Sequence, residues 1–522
     1  MGIYKLRTEF ATHLRVILWA ILIIFVIGAI WMFNPSSGEK TAKESKQVII
    51  NVENTEIKRH IFDIEWDNVY NMLSGRNARS PFQFANVKGM IVSNIIDSQK
   101  IIIIAEKQGI KISKKDIKNA IDERVIENLK ANRAIVLGDI SEEQEKIDPR
   151  KDKKYLSALS ANGLNVDSIA SNAKASVSEF SIKAELARTA LLKQSDGNLT
   201  SITDAEVNKS FDNYSVDMII IDPTKSTETK AKEVADKVLK DIKAGADFAK
   251  LRTQHSAVDM PTMDYNFVDM PWLLPPDVAD KVIKLSAGQI TEAIKTDNGI
   301  YIVKVAKITN KKPEKFDNKS KEERKKLIQT ALEQKAERAL MDEMKKITDV
   351  SVIDPELAGY YYSSLAESER DPIKAKAHYT KAKEELGKAL NKKEVTAGDD
   401  IMMAQQAYIN YCLEDYKTAS ELLYKMLDDP NSQVSESFDL RMLFGECYMK
   451  LKQNDKAIAQ FESASELNRS NSGVHEALAE KFKELGRADL AAREMKTAAE
   501  IKEFEEKQAD SMNMPEVPVP TN

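Results

Sequence analysis

Cysteine is nearly absent from this 522-residue chain, which has only Cys412 and Cys447. That scarcity excludes the disulfide framework that staples small secreted domains, so stability must come from packed cores. Both cysteines fall in helical patterns and suit small buried positions; their spacing leaves open whether they pair. Histidine is also scarce, five in all and scattered. No metal-ligand spacing forms, and neither metal nor cofactor is expected. No phosphate loop, dinucleotide fingerprint or hydrolase elbow occurs. Neither charge sign dominates: 77 Lys and Arg face 82 Asp and Glu, a net charge of −5. Nucleic acid is therefore not an expected partner. The lysine cluster Lys319 to Lys326 is interrupted by Glu322 and Glu323 and reads as a solvated helix face. Aromatics make up 7% and charged residues 30%, a helix-rich composition long enough for about three domains.

One long apolar run stands out. Val16 to Phe33 carries no charge and would span roughly 27 Å as a helix, just enough for a bilayer. Lys5, Arg7 and Arg15 precede it, opposed only by Glu9, and Trp19 and Trp31 sit toward its ends. The positive-inside rule puts residues 1–15 in the cytoplasm and everything after Asn34 outside it. A cleaved signal peptide is the competing reading. The length of the run, and the absence of an Ala-x-Ala-like site in the following NPSSGEK, favour an uncleaved anchor. Residues 34–47 form a polar tether.

From residue 48 the chain turns to alternating and helical patterns. Val48, Ile50 and Val52 alternate as in a strand, and Asn54 suits a turn. Thr55 is expected to cap a helix beginning at Glu56, with Ile57, Ile61, Ile64 and Val69 near one face. Ile91, Ile95, Ile96 and the run Ile101 to Ile104 predict a buried helix closed by Gly109. Ser113 to Asp116 opens a second helix with a side-chain cap. A charged insertion spans Ser141 to Lys154, further helices follow, and Thr203 to Val207 lead into the next segment. Taken together, INVENTEIKRHIF, NIIDSQKIIIIAEKQGIKISKKDIKNAI and LSANGLNVDSIASNAKASVSEFSIKAELARTAL resemble the N-terminal chaperone region of SurA and PpiD-type envelope proteins. That assigns 48–213 to a SurA-N-like helical domain.

Residues 214–310 read as strand, helix, loop, helix and strand, a small α+β domain. GADFAKL with Gly245, Asp247 and Phe248, then His255-Ser256, LSAGQIT and NGIYIVKV, resemble a parvulin-type peptidyl-prolyl isomerase domain inserted in the chaperone region. The resemblance implies a histidine in the first strand and another in the last. Here those places hold Met218 and Tyr301, and the family's glycine turn reads Thr262-Met263-Asp264-Tyr265-Asn266. Methionine neither donates nor accepts usefully, and tyrosine only partly mimics imidazole. The expectation is a surviving groove with weak or absent catalysis. Met260, Met263, Tyr265, Phe267, Met270 and Trp272, with Tyr301, are the candidate substrate-binding residues. The run carrying the first six is interrupted by Pro261 and Pro271, has no regular period, and is expected to be at least partly exposed. His255 and Asp259 are further polar candidates. An amphipathic helix from Lys319 to Ile347, with Leu327, Ala331, Ala339 and Met344 on one side, closes residues 311–350 back toward the chaperone region.

The period changes again over 354–506. Gly445, Tyr448, Ala457, Phe461 and Ala464 recur as Ala479, Phe482, Ala491, Met495 and Ala498 at a spacing of about 34 residues. Less regular units hold Ala375, Tyr379 and Ala382, then Ala407, Ala419 and Leu423. This pattern resembles tetratricopeptide repeats, whose α-solenoids offer a concave surface to a peptide or partner helix. The tail 507–522, with Pro515, Pro518 and Pro520, is expected to be disordered.

The fold expected is thus mostly helical α+β behind a single transmembrane helix. The resemblance implies a chaperone and scaffold of PpiD type, anchored in the inner membrane with its bulk in the periplasm. Its partners would be unfolded or nascent envelope polypeptides and the Sec translocon, with a peptide or protein on the repeats. Two alternatives stay open: an active prolyl isomerase and a pure assembly scaffold.

Overall fold

The computed structural model describes residues 46–512, apart from 75–79, 139, 196–201, 223–227, 297–298, 370, 392–398, 430–431 and 433. The expected anchor, residues 16–33, lies outside the described residues; among those described, no helix is long and apolar enough to cross a membrane. Two compact units form. Of the described residues, one groups those up to Lys100, Ile112–Glu185 and those from Ile347 on; the other groups Ile101–Lys111 and Leu186–Lys346.

The first unit opens with β1, Val48–Val52, and β2, Thr55–Lys58. Glu53 and Asn54 join them with φ of 45° and 66°, the paired left-handed turn that matches strand twist. This corrects the helix expected from Glu56: Thr55 starts a strand, and α1 begins only at Arg59 (Arg59–Ser74). Ile57 is buried from β2, so the hairpin satisfies both its backbone and its apolar side chain. Next come α2, Pro81–Lys107, and Gly109 at φ 79°. Helix α3, Lys114–Leu137, starts with a reciprocal capping box between Ser113 and Asp116. The charged insertion folds into α4, Glu142–Glu145, a 3₁₀ turn at Pro149–Lys151, and the start of α5, Lys153–Ala161. Arg133 of α3 reaches the Asp152 cap of α5 at 3.3 Å, and both side chains are buried. Helices α6, Val166–Ala175, and α7, Glu179–Ser195, complete this stretch.

The second unit is built on a sheet. After α8, Asp204–Lys209, come β3, Asp212–Ile221, α9, Glu228–Lys243, and α10, Phe248–His255. Then follow β4, Met263–Asn266, α11, Met270–Leu273, and α12, Pro276–Val282. Last are β5, Ile294–Thr296, β6, Gly299–Asn310, and α13, Asn318–Lys345. The antiparallel order is β4-β3-β6-β5. Strands β3 and β6 are central and buried on both faces, which is why their apolar runs are continuous. Ile219, Ile221, Ile300 and Ile302 pack on α9 and α10 through Ala231, Ala235, Val238, Phe248 and Leu251. Strands β4 and β5 and helix α11 were not visible in the sequence pattern: they are three or four residues long, too short to display a period. Helices α8 and α13, which flank the sheet in sequence, meet through Lys321 and Asp204 at 2.6 Å. Arg324 also donates to Ser210 Oγ at 2.8 Å. The buried stripe of α13 is Ile328, Ala336 and Leu340, whereas Leu327, expected on the apolar side, is exposed.

Returning to the first unit, β7, Val350–Val352, pairs with the free edge of β1 to give the order β2-β1-β7. Packed helix pairs follow: α14, Pro355–Ser368, with α15, Pro372–Leu390; and α16, Asp399–Cys412, with α17, Tyr416–Asp428. Then come α18, Phe438–Lys450, with α19, Asn454–Leu467; and α20, Ser472–Glu484, with α21, Ala488–Met512. Small residues set the approach. A Cβ on Gly359 would stand 2.3 Å from Leu386, and one on Gly445 would stand 2.4 Å from Phe461. Cys447 is buried, Cys412 is half-buried, and both are free. Helix α21 passes the tail boundary expected at Lys507 and runs to Met512.

Candidate functional site

The face of the sheet opposite α9 and α10 carries the positions singled out in the sequence. Side chains alternate along a strand, so Tyr214, Val216 and Met218 of β3 share this face with Tyr301, Val303 and Val305 of β6. Met218 pairs in register with Val303, and Tyr301 with Ile220. Met270 and Leu274, then Val278, Ala279 and Val282, cover the face from α11 and α12. Met218 is 3% exposed and Tyr301 8%. The two positions where the resemblance calls for imidazole are therefore packed inside an apolar cluster.

The remaining candidates divide. Tyr265 and Met270 are buried in the same cluster and fill the core, while the run as a group is partly exposed. Met260 and Phe267 pack half-buried on its edge, and Met263 is exposed. Trp272 lies in α11, and its side chain is outside the described residues. Burial raises the Tyr301 hydroxyl above its usual range; burial and then the neighbouring Tyr301 raise Tyr265. Both phenols stay protonated at neutral pH and remain available as donors. His255 ends α10 and is half-buried. Asp259 is an exposed partner of Arg252 at 2.9 Å, and Arg252 also reaches Asp217 at 3.4 Å. That network, with Thr262 donating to Asp217 at 2.6 Å, pins the loop before β4.

Beside this face lies an open groove of about 280 Å³ between α12 and α13. Phe267, Ile283, Ile328 and Leu332 form its apolar lining, and Asp280 pairs with Lys335 at 3.2 Å on the rim. Phe267 is the sequence candidate that lies in it; the α13 residues were missed as site residues. Their signal was the amphipathic pattern of α13, but the face it buries could not be assigned without the helix's partner. Among the described residues, no group of three or more His, Cys, Asp or Glu is placed to hold a metal ion.

A four-stranded antiparallel sheet with helices on both faces defines a parvulin-like domain. Residues 202–321 match the PPIC-type PPIase domain, and residues 5–134 match the SurA-like N-terminal domain. Through these two segments the chain is similar to proteins of the SurA, PpiD and PrsA type. It is similar to the foldase protein PrsA of Geobacillus sp. (strain WCH70), 27% identical over 281 residues, or 52% of this chain and 95% of that one. The PrsA of Geobacillus kaustophilus (strain HTA426) is 26% identical over 254 residues, 47% of this chain and 81% of that one. Among solved structures, the peptidylprolyl isomerase PrsA of Bacillus anthracis matches at a TM-score of 0.22 and 20% identity, over 48% of this chain and 94% of that one.

Proposed function

We propose that this protein is a membrane-anchored extracytoplasmic chaperone that holds unfolded polypeptide and does little or no prolyl isomerisation. The observation that carries the reading is the pairing of an open apolar groove at Phe267 with a neighbouring sheet face whose two family histidine positions are Met218 and Tyr301, both buried. Isomerisation requires polar groups that stabilise the twisted imide. A methionine in the core offers none. Holding a client requires only adaptable apolar surface, which Phe267, Ile328 and Leu332 provide. The resemblance to PpiD-type proteins supports an inner-membrane anchor with a cytoplasmic N-terminus. It also supports a place beside the Sec translocon receiving emerging chains. The helix pairs from Pro355 onward, with small residues at 34-residue spacing, support a tetratricopeptide array for a protein partner.

A second reading, an active isomerase, is favoured by one feature: Tyr265 and Tyr301 bring two protonated hydroxyls to the same cluster. One experiment separates the two. The full chain in detergent micelles is added to a proline-limited refolding reaction and, in parallel, to an aggregation-prone client. The expected outcome is an unchanged slow phase with suppressed aggregation, the suppression lost in Phe267→Glu. Acceleration that Tyr301→Phe abolishes would put the enzyme reading first.

A further inference from the structure

The leading helices of the first three pairs, α14, α16 and α18, line a groove, and α2 of the same unit already enters it. Phe82, in the first turn of α2, stacks near Tyr408 of α16 with ring centroids 5.5 Å apart. One turn on, Ala85 is buried against Tyr360, Ala382 and Leu386. Lys88 pairs with Glu356 at 2.6 Å while lying over the Trp66 and Tyr360 rings. Gly89 is there because a Cβ would stand 2.6 Å from the Tyr360 carbonyl oxygen. The first turns of α2 are thus an internal ligand seated on α14 and α16. They fill only part of the groove. Beyond Phe82 and Asn86 a space of about 340 Å³ remains, bounded by residues of α14, α16 and α18.

We propose that this remaining length of the groove docks a helical segment of a protein partner, carrying lysine or arginine beside an apolar side chain and lying next to α2. Tyr408, Met442 and Leu443 offer the apolar contact. Every charged residue lining the space is acidic: Glu367, Asp439 and Glu446. Like charge on a partner would be repelled, and opposite charge is drawn in and held in register. Glu446 is balanced by Lys481 at 2.8 Å, so Glu367 and Asp439 are the walls a cation would meet. Burial raises the carboxyl of Glu367, the direction a nearby cation would reverse. A helix is the fitting form because the adjoining stretch already holds one, through an aromatic anchor and close backbone approach. The inference rests on the proposed partner-binding role of the helix pairs and not on whether the parvulin-like domain binds or isomerises anything.

The test uses a fluorescein-labelled sixteen-residue helical peptide of leucine, alanine and lysine, and its counterpart with glutamate for lysine. Anisotropy is read against the full chain in micelles, with empty micelles subtracted. The lysine peptide is expected to bind. Asp439→Lys should weaken it by about tenfold, and the milder Asp439→Asn by about threefold. Phe82→Ala, which alters the wall shared with α2, should shift the affinity by at least about threefold. Equal binding of both peptides, or indifference to both Asp439 substitutions, overturns the proposal. An affinity unchanged by Phe82→Ala overturns the claim that peptide and α2 share one groove.

Discussion

Gly359 and Gly387 lie on the two helices of one pair, α14 and α15, and the same substitution should act in opposite directions on them. Replacing a mid-helix glycine by alanine gains about 1 kcal/mol of helix propensity where nothing opposes it. Around Gly387 nothing lies within 4 Å of the added Cβ. Gly387→Ala should therefore stabilise the pair by about 0.5–1 kcal/mol. At Gly359 the new Cβ would stand 2.3 Å from Leu386 Cγ, 2.6 Å from its Cδ2 and 3.3 Å from its backbone nitrogen. Leu386 is itself fully buried, and backbone cannot yield as a flexible side-chain tip does. Overpacking of this kind costs about 1–3 kcal/mol, so Gly359→Ala should come out destabilising by up to about 2 kcal/mol. Leu386→Ala alone should cost about 2–5 kcal/mol by opening a cavity. Combined with Gly359→Ala it should cost less than the sum of the two, because the methyl occupies space the leucine vacated. Hydrogen-exchange mass spectrometry on peptides spanning 355–390 of the full chain reads each change locally, without assuming two-state unfolding. Equal effects of the two glycine substitutions, or strict additivity in the double variant, would refute the close-approach reasoning.

Further expectations concern buried charge and the groove. Arg133→Met leaves Asp152 buried without its ion-pair partner and should cost about 3–5 kcal/mol, read as faster proteolysis within 114–161. Glu494 is buried, and desolvation alone would raise its carboxyl; hydrogen bonds from His475, Ser465 and Arg493 outweigh this and hold it below the usual range. A depressed carboxyl stabilises the fold above the unfolded glutamate range, and that contribution is lost as pH falls through the folded value. Exchange in 472–500, corrected for intrinsic rate, should therefore rise at acid pH, and Glu494→Gln should flatten the dependence. Leu332→Asp in α13 should weaken client holding while leaving exchange in β3 and β6 unchanged; an unaltered aggregation curve would remove the groove from the function.

What the sequence could reveal depended on how local each signal was. The buried helix through Ile101 to Ile104 and the cap at Ser113 are set by neighbours within one or two turns, and the spacing around Gly445 and Phe461 by two helices adjacent in sequence; all were legible. The hairpin at Glu53-Asn54 was misread because a capping threonine and a strand-opening threonine look alike until the left-handed turn is seen. Strands β4 and β5 depend on pairing with distant β3 and β6, and nothing within four residues announces that. The site divided in the same way. Met218 and Tyr301 were located by motif, but the burial of Tyr265 and Met270 follows from α11 and α12 folding over the sheet. The groove at Phe267 needs α13, more than fifty residues downstream in sequence.

The pairing of β1 with β7 has a temporal side. Ile353 N donates to Ile49 O at 2.7 Å, and Glu53 N donates to Asp349 O at 3.0 Å; about three hundred residues separate the two strands, an expensive loop to close before any contact rewards it. If the chain emerges at about 5–20 residues per second, the first hairpin waits on the order of fifteen seconds to a minute for its third strand. Throughout that interval the edge of β1 presents unpaired backbone groups. On the proposed function, a holder of unfinished chains itself passes through the same exposed condition, its opening strand left open until β7 is made.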